Sequence, residues 1–273
     1  MRTLIAVVAA TAVLALPGCN EREEVDLAFR PAVGQAIGYV VDVDSRTVTV
    51  LDGPPDQVEE TISLRADQEV IGERDGTLQL EISMAAEGQR ARRFDVRLDT
   101  ERGTATVHSV EGLPVEVLGE LGPSRLVLLA TGLLPGDSLH PGERWDIRRT
   151  LELTEGEERL TGTGRLIGLR VEDGTALARV EAQTRLPVER DLRTPQGRVV
   201  VDGVEFTRAE IDYRVADGTV ASARSVTTGM FTLAVSPPGG TQTAPLAGTL
   251  EVRVESRTTR VPAGGAALSR AST

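Results

Sequence analysis

The amino-acid sequence predicts a mainly β protein, with antiparallel, hairpin-rich curved sheets and one or two central apolar helices. Three observations support this fold class. Apolar and polar residues alternate in many short stretches, Asp-Gly pairs recur along the chain, and one internal segment is apolar at helical spacing instead. A period of two places apolar side chains on one face of a sheet, whereas a period of 3.6 places them on one face of a helix.

The N-terminus has the features of a secretory signal. An apolar run extends from Leu4 to Leu16, follows Arg2 and ends at Pro17-Gly18-Cys19. This run is too short to cross a bilayer as a helix, which takes about 20 apolar residues. We therefore expect residues 1–18 to be a cleaved signal peptide.

Leu16, Gly18 and Cys19 resemble the lipobox of bacterial membrane lipoproteins, although Pro17 stands where that family usually has Ala, Ser, Thr, Val or Ile. The resemblance implies that Cys19 carries a diacylglyceryl group and that the protein is extracytoplasmic and anchored to a bacterial membrane. Cys19 is also the only cysteine, so a secreted chain would otherwise carry an unpaired thiol. The alternative is an ordinary secretory leader with an incidental cysteine.

The remaining chain divides by composition. We predict a lipidated, charged tether at 19–30, a first β half at 31–113, a helical connector at 114–134 and a second β half at 135–261. A tail of small and polar residues follows at 262–273, and we expect it to be disordered.

The predicted strands are the stretches in which aliphatic residues alternate with arginine or acidic residues. The clearest are 38–43, 77–83, 94–98, 178–182, 211–215 and 250–254. Asp-Gly pairs indicate hairpins, because a two-residue type I′ turn needs positive φ at both positions. They occur at 52–53, 75–76, 173–174, 202–203 and 217–218.

The connector at 114–134 breaks the alternation. Pro114 and Pro123 suit first helical positions and Gly132 suits a C-terminal cap, so we predict two short helices. The second is apolar on nearly every side and should be buried. Its leucines, together with those of the first helix, are the candidate lining of an apolar ligand cavity: Leu118, Leu121, Leu126, Leu129 and Leu133.

The two β halves contain similar turn sequences. Gly34 and Gly142 are 108 residues apart, Gly76 and Gly174 are 98 apart, and Gly103 and Gly218 are 115 apart. These unequal offsets leave two explanations open. The halves are related by internal duplication with loops of different length, or they use the same hairpin chemistry independently.

Composition excludes several functions. The formal net charge is −11, and all 30 basic residues are arginine. An acidic chain without a basic cluster is a poor partner for nucleic acid. The absence of lysine removes Schiff-base chemistry and a Walker A loop. With two histidines and its one cysteine assigned to the lipid, the chain is expected to hold no metal and no cofactor.

Gly136-Asp137-Ser138-Leu139 matches the motif of a family of serine esterases. In that family the serine follows a strand near the start of the domain and depends on a histidine near the C-terminus. Here no histidine follows His140, and a proline rather than a strand precedes the motif. A serine without a base is a weak nucleophile, so we expect turns at this segment and no enzymatic activity.

Two functions remain open. The first is a non-enzymatic structural or interaction domain displayed on the membrane, with an envelope protein as partner. The alternative is a carrier or binder of an acylated, lipid-like ligand, because the predicted interior is aliphatic and poor in aromatic residues. In outline this second possibility is similar to the envelope lipoprotein carriers, which have a half-open sheet capped by helices.

Overall fold

The computed structural model describes residues 24–86, 91–99, 104–111, 133–153, 156–194, 197–236 and 245–264. Thirteen strands lie in these ranges: β1 Val25–Asp26, β2 Ala36–Leu51, β3 Asp56–Arg74, β4 Thr77–Ala86, β5 Arg92–Asp99, β6 Thr104–Glu111, β7 Ser138–Leu139, β8 Arg144–Leu153, β9 Gly156–Glu172, β10 Thr175–Thr194, β11 Gly197–Arg214, β12 Val220–Ser236 and β13 Leu246–Val261. None of these ranges contains a helix that is long and apolar enough to cross a bilayer.

Eleven of the strands form one closed barrel, in the order β10-β11-β12-β13-β2-β3-β4-β5-β6-β8-β9. All neighbours are antiparallel except β6 and β8, which are parallel over three residue pairs. A ring with an odd number of strands cannot reverse direction at every step, so one pair must be parallel. The mainly β, antiparallel prediction is confirmed.

The strands β2–β6 and β8–β12 repeat the same hydrogen-bond pattern. The Gly34 amide donates to the Val70 carbonyl at 2.7 Å, and the Gly142 amide donates to the Leu166 carbonyl at 2.6 Å. Both glycines have positive φ. The amides of Val70 and Leu166 in turn donate to the carbonyl of the residue after each glycine. That residue is Gln35 in the first half and Glu143 in the second.

The same irregularity follows in both halves. Ile71 of β3 is skipped where β3 pairs with β4, and Ile167 of β9 is skipped where β9 pairs with β10. Each of these strands then ends in a two-residue turn with positive φ at both positions, Asp75-Gly76 and Asp173-Gly174. The barrel is therefore two five-stranded halves with matching register, and β13 is an additional strand between β12 and β2.

Two other Asp-Gly pairs lie in predicted hairpins, β2–β3 and β11–β12, but in connections longer than two residues. Asp52-Gly53 lies in a longer connection, and Gly218 lies in the turn between β11 and β12. The hairpin predicted at Asp202-Gly203 is wrong, because both residues lie within β11. There Gly203 has a packing role, since a Cβ at this position would overlap the Phe231 ring.

The predicted helical connector at 114–134 lies outside the described residues except for Leu133 and Leu134, neither of which is helical. The described part of the chain contains no helix, so the central apolar helices have no support there. The folded part also starts earlier than predicted. Val25, Leu27 and Phe29, within the predicted tether, are buried in the core, because their period-two spacing gives this charged segment one apolar face.

Residues 25–35 and 133–143 close one end of the barrel, which we call the plugged end. β1 pairs with β7 there, and the Gly136 amide donates to the Leu27 carbonyl at 3.2 Å. The Arg30 amide reaches the Asp217 carbonyl in the β11–β12 turn at 2.9 Å. Apolar side chains from both segments join the barrel's single core cluster.

The opposite end is uneven. β4, β5, β6 and β8 have 8 to 10 residues, whereas β10, β11, β12, β13, β2 and β3 have 16 to 20. β9 has 17 residues, but all of them lie against β8 or β10. Residues 56–63 of β3 pair only with β2 in the described chain, and residues 186–194 of β10 pair only with β11. The six long strands therefore extend beyond the closed ring as a sheet that we call the projecting wall.

Candidate functional site inside the barrel

Most of the residues predicted from the sequence to form a site lie outside the described chain. These are Cys19, Leu118, Leu121, Leu126 and Leu129. Leu133 is described and is 2% exposed in the core. Its carbonyl accepts a hydrogen bond from the Trp145 indole nitrogen at 2.9 Å, so Leu133 contributes to packing of the plugged end.

The Gly-Asp-Ser-Leu segment has a structural role at the plugged end. Ser138 and Leu139 form β7, with Leu139 buried and Ser138 exposed. His140 Nδ1 is buried and has no hydrogen-bond partner among the described residues, and the His140 amide donates to Glu143. No hydrogen bond joins Ser138 to His140 in the described part of the structure, so the geometry gives this serine no base.

A group of polar side chains lies on the inner face of the barrel, and we call Tyr39, Tyr213 and Arg149 the interior polar cluster. They belong to β2, β11 and β8. Tyr213 is fully buried and Tyr39 is 5% exposed, while Arg149 is partly buried. Tyr213 lies close enough to Tyr39 and to Arg149 for each of them to affect its pKa, so it links groups from two other walls of the barrel.

The cluster is incompletely hydrogen bonded by the described chain. The Tyr213 hydroxyl has no partner, and neither does Arg149 Nε. The Tyr39 hydroxyl makes no bond of good geometry, although the Val220 amide lies close enough to affect its pKa. Buried polar groups are normally paired, so the cluster has donors to offer.

Arg149 is held by backbone oxygens and not by a carboxylate. Its two terminal nitrogens donate to the Arg148 carbonyl at 2.9 Å and the Leu134 carbonyl at 2.6 Å. No carboxylate pairs with it within the described ranges. A partly desolvated guanidinium without a counter-ion favours the binding of an anion.

Burial dominates the pKa values in the cluster. It raises the pKa of Tyr39 to about 12, with Arg260 opposing the shift and Asp217 adding to it. It raises the pKa of Tyr213 as well, and the neighbouring Tyr39 adds to that shift. Burial lowers the pKa of Arg149, against the opposing effect of Tyr213. Both phenols are neutral at physiological pH and can donate hydrogen bonds.

The charges nearest the cluster are unbalanced. Arg260 pairs across the strands with Tyr39, and its guanidinium donates to the Thr219 hydroxyl at 2.6 Å. Among the described residues, Asp217 is the acid that raises the pKa of Tyr39, and it also lies 3.9 Å from Arg214. Asp217 itself accepts bonds from Gln35 and Thr219, and although burial raises its pKa these bonds lower it overall. The surroundings of the phenols therefore hold more positive than negative charge.

The repeated register shows what the fold requires at these positions. By the matched register, Tyr39 corresponds to Ile147, Arg149 to Val41, and Tyr213 to Leu98. The three counterparts are buried aliphatic residues. Since the other half packs these positions with aliphatic side chains, packing alone does not call for polar groups there.

The sequence itself contains signals for this cluster. Both tyrosines of the chain occupy apolar positions of alternating stretches, 38–43 and 211–215. In β8, Trp145 and Ile147 define the inward phase, and Arg149 is the next residue in it. A polar residue at an inward, otherwise apolar position of a strand is the pattern that indicates an interior polar cluster.

Above the cluster, part of the inner face of the projecting wall is aliphatic and half-buried, chiefly on β11, β12 and β13. The inward positions of β2 are Ser45, Thr47 and Thr49, and Arg190 and Glu205 also face inward on β10 and β11. The residues that carry the aliphatic part are Val188, Val199, Val201, Leu233, Leu250, Val252 and Val254. They continue the inward phase of the barrel, since Val254 pairs with the buried Thr227 and Leu250 pairs with the buried Phe231. The inner wall thus joins the polar cluster to an accessible apolar surface.

The described residues contain no group of three or more His, Cys, Asp or Glu side chains that could hold a metal ion. No protein-family model and no curated protein matches the chain. Among solved structures, the chain is similar to an outer membrane channel from Pseudomonas putida F1, with a TM-score of 0.21 and 11% sequence identity over 84% of this chain and 97% of that chain. A similarity at this level carries no argument about the present protein.

Proposed function

We propose that this chain is a lipoprotein anchored to a bacterial membrane through Cys19, and that its barrel binds the acyl chain of an amphipathic ligand without catalysing a reaction. The observation that carries this proposal is the half-buried aliphatic part of the inner face of the projecting wall. Accessible apolar surfaces that are continuous in this way commonly mark binding sites.

The outer face of the same strands supports binding at the inner face. On β13, Val252 and Val254 face inward, whereas Glu251, Arg253 and Arg257 alternate with them. Ion pairs such as Arg253–Glu255 and Arg198–Asp191 lie on this exposed side. A charged outer face is suited to water, so an apolar ligand would contact the inner face.

The anchor would hold a particular end of the barrel near the membrane. Cys19 precedes Glu24 by five residues, and an extended chain covers at most about 3.6 Å per residue, or about 18 Å in all. Since the chain enters the barrel at the plugged end, a lipid on Cys19 would keep that end close to the bilayer and leave the projecting wall free to exchange ligand.

The binding proposal is tested by lipid analysis of the full chain purified from its native membrane. Val252→Glu places a charge on the inner wall, and Arg253→Glu is the matched control on the outer face of the same strand. We expect the unaltered protein and Arg253→Glu to release a non-covalent acylated molecule on denaturation, and Val252→Glu to release several-fold less. Circular dichroism checks that both variants fold. Equal amounts from both variants, or none from the unaltered protein, would contradict the proposal.

The anchor is tested separately by intact-protein mass spectrometry with Cys19→Ala as the control. We expect a diacylglyceryl mass on Cys19 in the native protein and loss of membrane retention in the variant. An unmodified Cys19 in membrane-purified protein would remove the lipoprotein assignment and would show that Pro17 is incompatible with processing.

A second candidate function, an interaction domain for an envelope protein, is favoured by one surface feature. Phe206 and Met230 are 54% and 71% exposed on the outer face of β11 and β12. Val204, on the same face of β11, pairs with Met230. Crosslinking in the native membrane at Met230, compared with crosslinking at Thr232 on the same face, tests this function. A specific partner adduct confined to Met230, together with an absence of bound lipid, would favour it over the carrier.

A further inference from the structure

We infer that the interior polar cluster is the recognition site for the carboxylate of a single-chain amphiphile, such as a long-chain fatty acid. This inference rests on the proposed binding function and specifies its ligand. The Arg149 guanidinium and the Tyr213 hydroxyl would receive the head group, with Tyr39 beside Tyr213, while the acyl chain would extend toward the open end.

The hydrogen-bonding groups of the cluster match a carboxylate. Arg149 Nε and the Tyr213 hydroxyl are buried donors with no partner in the described chain. A carboxylate is an acceptor only, with about four lone-pair positions on two oxygens, and its bonds to guanidinium and hydroxyl groups are the strong, charge-assisted kind. Binding would therefore satisfy the donors that the protein leaves open.

The charge of the cluster also favours a monoanion. Arg149 has no acidic partner in the described ranges, and the neighbouring Arg260 is bonded to a neutral hydroxyl. Asp217 is already engaged by Gln35 and Thr219. One incoming negative charge would neutralise Arg149 without bringing it near an unpaired carboxylate.

The surroundings of the cluster are apolar, which selects a ligand with a hydrocarbon body. Ile147 is next to Arg149 in the inward phase of β8, and Ile211 is next to Tyr213 in that of β11; both are 1% exposed. Leu160 pairs directly with Arg149 and is also buried. A small hydrophilic anion would have to lose its hydration in this setting and would gain no apolar contact.

The matched register provides an internal comparison. Val41 and Leu98 in the first half, and Ile147 in the second, show that aliphatic side chains can complete these positions. Tyr213 and Arg149 therefore replace groups that would pack equally well and are cheaper to bury. This pattern is expected where a binding requirement, and not stability, determines the residue.

The experiment compares dodecanoate with dodecanol, which share an alkyl chain and differ in the carboxylate. Calorimetry uses the full chain, stripped of bound lipid and kept in amphipol. We expect dodecanoate to bind about tenfold more tightly than dodecanol, since a hydrogen bond to a charged group corresponds to about that factor or more. Tyr213→Phe should reduce that preference severalfold.

Tyr213→Phe is a suitable variant because the hydroxyl that it removes has no partner in the described chain, so folding should be unaffected. Thr227→Val is the control, since it removes an inner-face hydroxyl that is already bonded to Thr207 at 2.8 Å. The control should keep the preference for dodecanoate. Thermal melting of each variant, measured without ligand, separates a loss of binding from a loss of structure.

The outcomes distinguish this inference from the function on which it rests. Equal binding of dodecanoate and dodecanol, or an unchanged preference in Tyr213→Phe, would overturn the carboxylate site and leave the acyl-binding function intact. Tighter binding of dodecyl phosphate than of dodecanoate would also overturn the carboxylate assignment. If neither dodecanoate nor dodecanol binds, the proposed function fails and the head-group site fails with it.

Discussion

Burial usually raises the pKa of a carboxyl group, but the surroundings of Asp212 lower the pKa of its carboxyl group overall. Asp212 lies on the outer side of β11, is 7% exposed and stands at the point where the register between β11 and β12 shifts. Burial alone would raise the pKa of its carboxyl group, but hydrogen bonds from Arg179 and Ser222 and the charges of Arg179 and Arg170 lower it overall. The carboxylate thus connects β11 to three other strands, since Arg170, Arg179 and Ser222 lie on β9, β10 and β12.

Asp212→Asn should lower the free energy of unfolding at neutral pH by about 1–2 kcal/mol, because charge-assisted hydrogen bonds are lost, with a discount for the exposure of both arginines. A pKa held below the ordinary value of about 3.9 stabilises the fold above that pH and ceases to do so as the pH falls through the folded-state pKa. Urea unfolding should therefore separate the variant from the unaltered protein at pH 7, and the difference should shrink as the pH falls below about 3.9.

Asp202→Asn is the control for this experiment, because Asp202 is an exposed acid on the same strand. Its effect on the free energy of unfolding should be within about 0.5 kcal/mol. A loss of stability in Asp212→Asn that persists undiminished at low pH would show that the carboxylate charge is not the cause.

The two tyrosines of the interior polar cluster allow a test by alkaline titration. Both have a raised pKa because they are buried, and that of Tyr39 is raised to about 12. The neutral phenols stabilise the fold below their unfolded pKa of about 10, and this contribution is lost as the pH rises through the folded values. Since the chain has only two tyrosines, phenolate absorbance reports on both.

We expect the native protein to show little phenolate absorbance until the pH approaches 12, whereas the protein in concentrated guanidinium chloride should titrate near pH 10. Circular dichroism at each pH identifies any rise that accompanies unfolding. A reversible phenolate signal near pH 10 in the folded protein would contradict the burial of one or both hydroxyls and would weaken the head-group site.

Among the elements, β8 and β9 make a side-chain contact through the chain's one tryptophan. The Trp145 ring lies over Gly164, its partner in the register, where a Cβ would overlap the indole. The indole nitrogen donates to the Leu133 carbonyl at 2.9 Å. Because Gly164 has no side chain, the indole fits over it and donates to Leu133. Leu133 belongs to one of the two segments that close the plugged end, so this contact holds that segment in place.

Gly164→Ala should lower the free energy of unfolding by about 1–3 kcal/mol, since overpacking at a closely fitted site forces the ring or the strand to shift. Gly168→Ala is the control on the same strand, because a Cβ there would meet nothing within 4 Å. Denaturant unfolding followed by Trp145 fluorescence measures both variants. Equal stability of the two variants would show that the indole does not depend on Gly164.

The elements also show how far the sequence can predict this fold. The alternation at 77–83 and 250–254 correctly predicted strands, and the turns at 75–76 and 173–174 followed from local conformational preference. Asp202-Gly203 has the same local sequence and lies within a strand, because the demand of the Phe231 ring for space outweighs the turn preference. Local chemistry therefore predicts element type well, and long-range packing decides the exceptions.

At the scale of the whole molecule, strand partners could not be read from the sequence. Pairing of β13 with β2 joins residues about 200 apart, and no local pattern specifies that contact. Convergence of Tyr39, Tyr213 and Arg149 depends on the same closure, since the three lie on strands that are not neighbours. The sequence contained the unusual polar positions, but their meeting inside one barrel follows only from the ring order.

The ring order makes the β6–β8 pair the weakest point of the closed barrel. It is the parallel pair and has three residue pairs, whereas β10 and β11 are aligned over 18. Fewer hydrogen bonds mean a smaller free energy to open this contact locally.

We expect native-state hydrogen exchange to be fastest, among the barrel strands, for the amides that join β6 and β8, and slowest for the β10–β11 and β11–β12 pairs. The β4–β5 pair, with eight residue pairs in a regular antiparallel register, is the comparison between strands of similar length. Exchange at β6–β8 as slow as at β4–β5 would mean that closure of the barrel does not limit its local stability. If the ligand lies inside the ring as proposed, dodecanoate should slow exchange at the β6–β8 contact as well as around Tyr213, because opening the ring would release contacts that the bound molecule makes on both sides.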